Sequence, residues 1–105
     1  MDILKKINSR FLDLLGKKYR FIDVKMFTFW TSSDPIVNSV AIYFIVNTEK
    51  EKLVFEKYSL EKCSKEYLYF IREVDELKKM KFKFYVLSKE EVKKKYGGNY
   101  YYAMH

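Results

Sequence analysis

The 105-residue chain has no Gln, a single Cys, a single His, one Pro, three Gly and two Ala. A lone Cys63 excludes a disulfide framework within the chain, and with it the small secreted scaffolds that depend on one. Without an activating histidine nearby, Cys63 reads as a buried small hydrophobe rather than a reactive thiol. The sole histidine, His105, is the last residue, which leaves no His pair for a metal and no partner for a catalytic triad. Gly97 and Gly98 follow a helical pattern instead of joining a strand to a helix, so they do not form a phosphate loop. No uncharged run approaches the ~20 residues of a bilayer-spanning helix, and no leader-like segment is read at the start. The expectation is a protein without enzymatic activity, metal or cofactor.

What is abundant is lysine and large rings: 18 Lys against 3 Arg, with ten Tyr and nine Phe. Apolar residues make up 49% of the chain, enough for one modest globular core at this length. The net charge of +7 is unevenly placed. Residues 1–76 hold 13 basic and 12 acidic side chains, whereas 77–105 hold 8 and 2, so the positive field belongs to the C-terminal quarter. Lys and Glu enrichment with Gln depletion is a hyperthermophile signature. In this texture the chain resembles small orphan proteins of hyperthermophilic archaea and of the filamentous viruses that infect them. That resemblance, and the lone cysteine, imply a cytoplasmic setting, the host cytoplasm for a viral protein.

The segment 36–47, IVNSVAIYFIVN, anchors the fold reading. Ile36, Val40, Ile42, Phe44 and Val46 fall on one side and Val37, Ala41, Tyr43 and Ile45 on the other, so it reads as a central strand covered on both faces. Before it, Ile3, Leu4, Ile7, Phe11, Leu14 and Leu15 recur at helical spacing after Asp2, with Gly16 as the expected stop. Residues 19–30 read as a strand and 31–35 as a turn around Pro35. Residues 52–58 read as a third strand, completing an antiparallel meander. A second helix follows, from Ser59 or Ser64 to about Met80, burying Tyr67, Phe70, Ile71, Val74 and Leu77. Residues 81–87 form a fourth strand, and Ser88 with Glu91 is a capping box for a third helix ended by Gly97. The tail 98–105 reads as a last strand or an end that docks through its tyrosines. The expectation is a single α+β domain with a mainly antiparallel sheet of four or five strands, order α-β-β-β-α-β-α, and the first two helices on one face.

Sliding the chain by 63 places Leu4 on Tyr67, Ile7 on Phe70, Phe11 on Val74, Tyr19 on Phe82 and Phe21 on Phe84. A helix-strand unit over 1–30 and 64–87 thus has the same phase, which reads either as an internal duplication with a groove between its halves or as the chance match that any two amphipathic helices allow. The element order also resembles the core of restriction-endonuclease-like nucleases. That family needs an acid on its second strand and acid-x-Lys on its third to hold a divalent ion. Here the second strand lacks a carboxylate, the third offers only Glu56 beside Lys57, and the acid-x-Lys pair, Asp23 and Lys25, lies on the first. The opening helix, three strands and helix resemble a double-stranded RNA-binding domain as well, with Lys62 and Lys65 where that family grips phosphates.

Two binding readings remain. Phe27, Phe29 and Trp30, with Tyr100, Tyr101 and Tyr102 at the rim, offer more rings than a small core hides, as protein and peptide interfaces do. This favours an interaction module holding a protein or peptide partner in a groove or along a sheet edge, with a homodimer as one form. The alternative is nucleic-acid binding through Lys78, Lys79, Lys81, Lys83, Lys93, Lys94 and Lys95, with Tyr85, Tyr96 and Tyr100 to Tyr102 as stacking partners. Against it, Arg, the bidentate reader of phosphates and bases, is absent after Arg72.

Overall fold

The N-terminal amphipathic segment forms α1, Asp2–Tyr19, which buries Leu4, Asn8 and Phe11 at i, i+4 and i+7. The computed structural model describes residues 2–30, 38–78 and 80–104, without the side chains of Asp2, Thr28, Phe29, Trp30, Asn38 and Glu76. The helix does not stop at Gly16. It continues to Tyr19, where Arg20 takes the left-handed conformation (φ 58°) and the Phe21 N–H donates to the Gly16 carbonyl at 3.2 Å. That is a Schellman closure with arginine in the seat usually taken by glycine, at a cost of about 1–2 kcal/mol. Gly16 serves space rather than a turn: a Cβ there would lie 2.9 Å from Leu12 Cδ1 and 3.3 Å from the Phe21 carbonyl oxygen.

Tyr19 therefore belongs to the helix, and the first strand, β1, spans Asp23–Trp30. The central strand, β2, spans Asn38–Val46 and is buried on both faces, as its sequence implied. The expected turn at 31–35 lies outside the described residues. The expected strand at 52–58 is a helix, α2, Glu49–Tyr58. Thr48 caps it, its hydroxyl accepting from the Glu51 N–H at 3.1 Å, a Thr-x-x-Glu start of the same kind as Ser88 and Glu91. The misleading apolar run was Leu53, Val54 and Phe55, of which only Phe55 is buried.

The next helix, α3, covers Leu60–Ile71 and is shorter than expected. A 3-10 turn at Asp75–Leu77 follows, still burying Leu77. The last strand, β3, is Lys81–Ser88. With α2 in place of a third meander strand, the chain crosses over before β3, so β3 lies parallel to β2 while β1 is antiparallel to it. Among the described residues the sheet is three-stranded and mixed, order β1-β2-β3, instead of four or five mainly antiparallel strands. The α+β class holds.

Helices cover both faces of this sheet. Val40, Ile42, Phe44 and Val46 meet α1, α2 and α3 in an aromatic-rich core. Phe11 there sits 5.1 Å from Tyr67, 5.8 Å from Phe70 and 5.9 Å from Phe21 between ring centroids. On the opposite face, Ile45 and Leu87 pack with Val92 of α4, Lys89–Tyr96, and with Tyr100, Ala103 and Met104. The tail is thus neither strand nor loose end. Asn99 caps a short helix, α5, Tyr100–Ala103, and the Tyr43 hydroxyl donates to the Met104 carbonyl at 3.3 Å. The helix-strand order does recur as α1-β1 and α3-β3. The 63-residue offset nevertheless pairs helical Tyr19 with Phe82 inside β3, so the two units do not share that register.

Candidate functional site

Among the described residues β1 is an edge strand, and its open side is recessed. Asp23, Val24, Lys25 and Met26 form the floor of a groove of about 450 Å³, with Lys5, Asn8, Ser9 and Leu12 of α1 on one bank and Tyr100, Tyr101 and Met104 on the other. Sheet alternation explains the placement. Val24 and Met26 point to the face covered by α1, while Lys25 points to the α5 face, where its ammonium lies 4.6 Å from the Tyr100 ring centroid.

Two polar features distinguish this groove from a packing gap. The Val24 N–H donates to Asp23 Oδ1 at 2.8 Å, so it is turned away from β2 and held by the side chain of its own neighbour. By the alternation of an antiparallel ladder, the Met26 amide faces the same open side. Lys25 Nζ lies 3.3 Å from Asp23 Oδ2, steadying that carboxylate across the strand edge. The second feature is Asn8, only 5% exposed, whose Oδ1 accepts from the Tyr67 hydroxyl at 2.7 Å. As the amide is oriented, that bond uses Oδ1, and Nδ2 donates to no described residue. A buried donor without an acceptor is costly, and here it belongs to a residue that lines the groove.

The residues named from sequence fall around this groove unequally. Tyr100 and Tyr101 line it, while Tyr102, 63% exposed, does not. Phe27 is half-buried on β1, one residue beyond Met26. Phe29 and Trp30 end the same strand, and their side chains lie outside those described. The contribution of α1 was missed, although Asn8 carried a signal: a polar residue in phase with Leu4 and Phe11 on an apolar helical face is a local inconsistency that often marks a site.

The C-terminal lysines do not gather into one field. Lys78 pairs with Asp75 at 2.9 Å, Lys94 with Glu90 at 3.1 Å and Lys95 with Glu91 at 3.5 Å. Lys81 and Lys83 stand exposed near the start of β3, whereas Lys93 is on α4, beyond the other end of that strand. Lys79 lies outside the described residues.

The nuclease and double-stranded RNA-binding likenesses both required a strand at 52–58, which is α2, so the order that carried them is absent. Asp23 and Lys25 form an ion pair at the groove floor. Among the described residues no three His, Cys, Asp or Glu side chains converge as a metal site, and no helix is long and apolar enough to cross a membrane. Compared with family models, curated proteins and solved structures, the chain finds no match.

Proposed function

We propose that this protein is a non-catalytic interaction module that takes up an extended segment of a partner protein by strand addition to the open edge of β1. One observation carries the reading: a strand edge recessed between two helices, with the outward Val24 amide held, among the described residues, by the adjacent Asp23 carboxylate. Strand addition uses the partner's main chain for affinity and side-chain pockets for selectivity. Val24 and Met26 supply the main-chain groups. Asn8 Nδ2 is a donor for a partner carbonyl, and Tyr100, Tyr101 and Leu12 supply the apolar walls. Asp23 doubles as a guard, since an occupied outward amide protects the edge from indiscriminate pairing.

The test is selection of binders from a random linear peptide library, followed by N-methylation of the selected peptide one amide at a time. Expected are losses at alternate amides only, with amide NMR shifts on Asp23–Met26, Asn8 and Tyr100. Replacing Asp23 with Ala frees the Val24 amide and tightens binding about fivefold, for a hydrogen bond worth ~1 kcal/mol. Insensitivity to N-methylation at every position would remove the strand-addition reading.

The nucleic-acid reading draws on Lys81, Lys83 and Lys93, which have no ion pair among the described residues. It predicts binding to unrelated DNA or RNA that weakens steeply with salt, whereas strand addition is nearly salt-independent. Self-pairing of β1 edges would appear as a dimer in sedimentation, competed by the selected peptide.

A further inference from the structure

A second cleft, of about 780 Å³, opens on the far side of α1 from its N-terminal turns, between the α1–β1 connection and α2. Its floor is apolar: Phe21, Val46 and Phe55 are almost fully buried there. Its mouth keeps two aliphatic side chains in water, Ile22 at 42% and Val54 at 52% exposure. Around that mouth stand Lys17, Arg20 and Lys50, none of whose side chains has a hydrogen bond or ion pair to a described residue. A fourth cation, Lys18, is committed to Glu66 at 2.8 Å. The cleft's one carboxylate, Glu51, is turned to the start of α2, accepting from the Asn47 N–H at 3.3 Å.

An apolar floor of this size under an unpaired cationic rim is complementary to a molecule with an aliphatic or aromatic body and one anionic head. Arg20 adds an independent sign. It holds a left-handed seat that glycine fills without strain, and its exposed side chain makes no hydrogen bond or ion pair with a described residue. Residues kept in strained conformations concentrate where a ligand is held.

We infer that the α1–α2 cleft binds a small amphipathic anion, its carboxylate, sulfonate or phosphate head between Arg20 and Lys50 and its apolar body over Phe21, Ile22 and Val54. This site is separate from the β1 groove and stands or falls without it.

The test uses the full chain and three probes: anilinonaphthalene sulfonate, read by fluorescence, with decanoate and decanol as competitors. Decanoate, held below its micellar concentration, is expected to displace the dye. Decanol, with the same body and no charge, is expected to do so at least tenfold less well. The double variant Arg20→Gly, Lys50→Gln is expected to weaken dye and decanoate binding at least tenfold. Because glycine relieves the backbone at position 20, that variant stays folded, which a thermal melt checks. Amide shifts caused by decanoate should centre on Phe21, Ile22, Asn47 and Val54. Equal competition by decanol, undiminished binding by the variant, or shifts confined to the β1 groove would each overturn the inference.

Discussion

Arg20→Gly is expected to make the protein more stable, a direction opposite to that of most substitutions. The left-handed conformation at φ 58° costs an L-residue about 1–2 kcal/mol. Glycine removes that cost but brings a more mobile unfolded chain, worth about 0.5–1 kcal/mol in the other direction. The Arg20 side chain is exposed and pairs with no described residue, so no contact is lost. The net gain is about 0.5–1 kcal/mol, a rise in Tm of roughly 3–6 °C for a domain this size. Differential scanning calorimetry at one protein concentration measures it. Two companions sharpen the test: Asn, which tolerates the left-handed region, should fall between Gly and the parent, and Ala should match the parent. A Gly variant that melts at or below the parent temperature would refute the strain, and with it one of the two arguments for the α1–α2 cleft.

Phe11→Ala should cost about 3–5 kcal/mol by urea titration, because the ring is fully buried against four others, while Leu14→Ala, at 59% exposure, should stay within about 0.5. A loss at Phe11 no larger than at Leu14 would contradict the assigned helix face. Burial pushes the Cys63 thiol up to about 12, so a disulfide reagent at neutral pH should leave the native protein unlabelled and react fully once urea unfolds it. Lys52, 2.8 Å away, holds the Glu91 carboxyl below its ordinary 4.5, with Lys95 assisting against the opposing pull of burial. A lowered folded value gives stability that is full above 4.5 and lost as pH falls through that lowered value. Urea midpoints of the parent and of Glu91→Gln should therefore converge on acidification, and a constant gap down to about pH 3 would contradict the pairing.

Much of the architecture was legible from local chemistry. The two-sided apolar alternation read over residues 36–47 marked a central strand, seen as Asn38–Val46 among the described residues, because a strand with no polar face must be covered twice. Ser88 with Glu91 marked the start of α4, the Ser88 hydroxyl accepting from the Glu91 N–H at 2.9 Å, and Gly97 marked its end in the left-handed conformation. The helical phase of Tyr67 and Ile71 held, both being buried. Phe27, Tyr100 and Tyr101 were singled out near what proved to be one edge of the sheet.

Other features depended on contacts distant in sequence. Leu53, Val54 and Phe55 satisfy a strand pattern as well as a helical one. What settles them as α2 is Thr48 capping the segment and Phe55 docking on Phe44, 5.7 Å between centroids. That choice in turn turns β3 parallel and leaves β1 as an open edge. Gly16 read as a stop because its spatial role, admitting Phe21 against the helix, is invisible until the chain folds back. Asn8 meets α3 through Tyr67, 59 positions away, and the β1 groove exists only once α5 returns to its second bank. Periodicity along the chain specifies which faces must leave water. Which partners cover them, and what clefts remain, is set by closure of long loops.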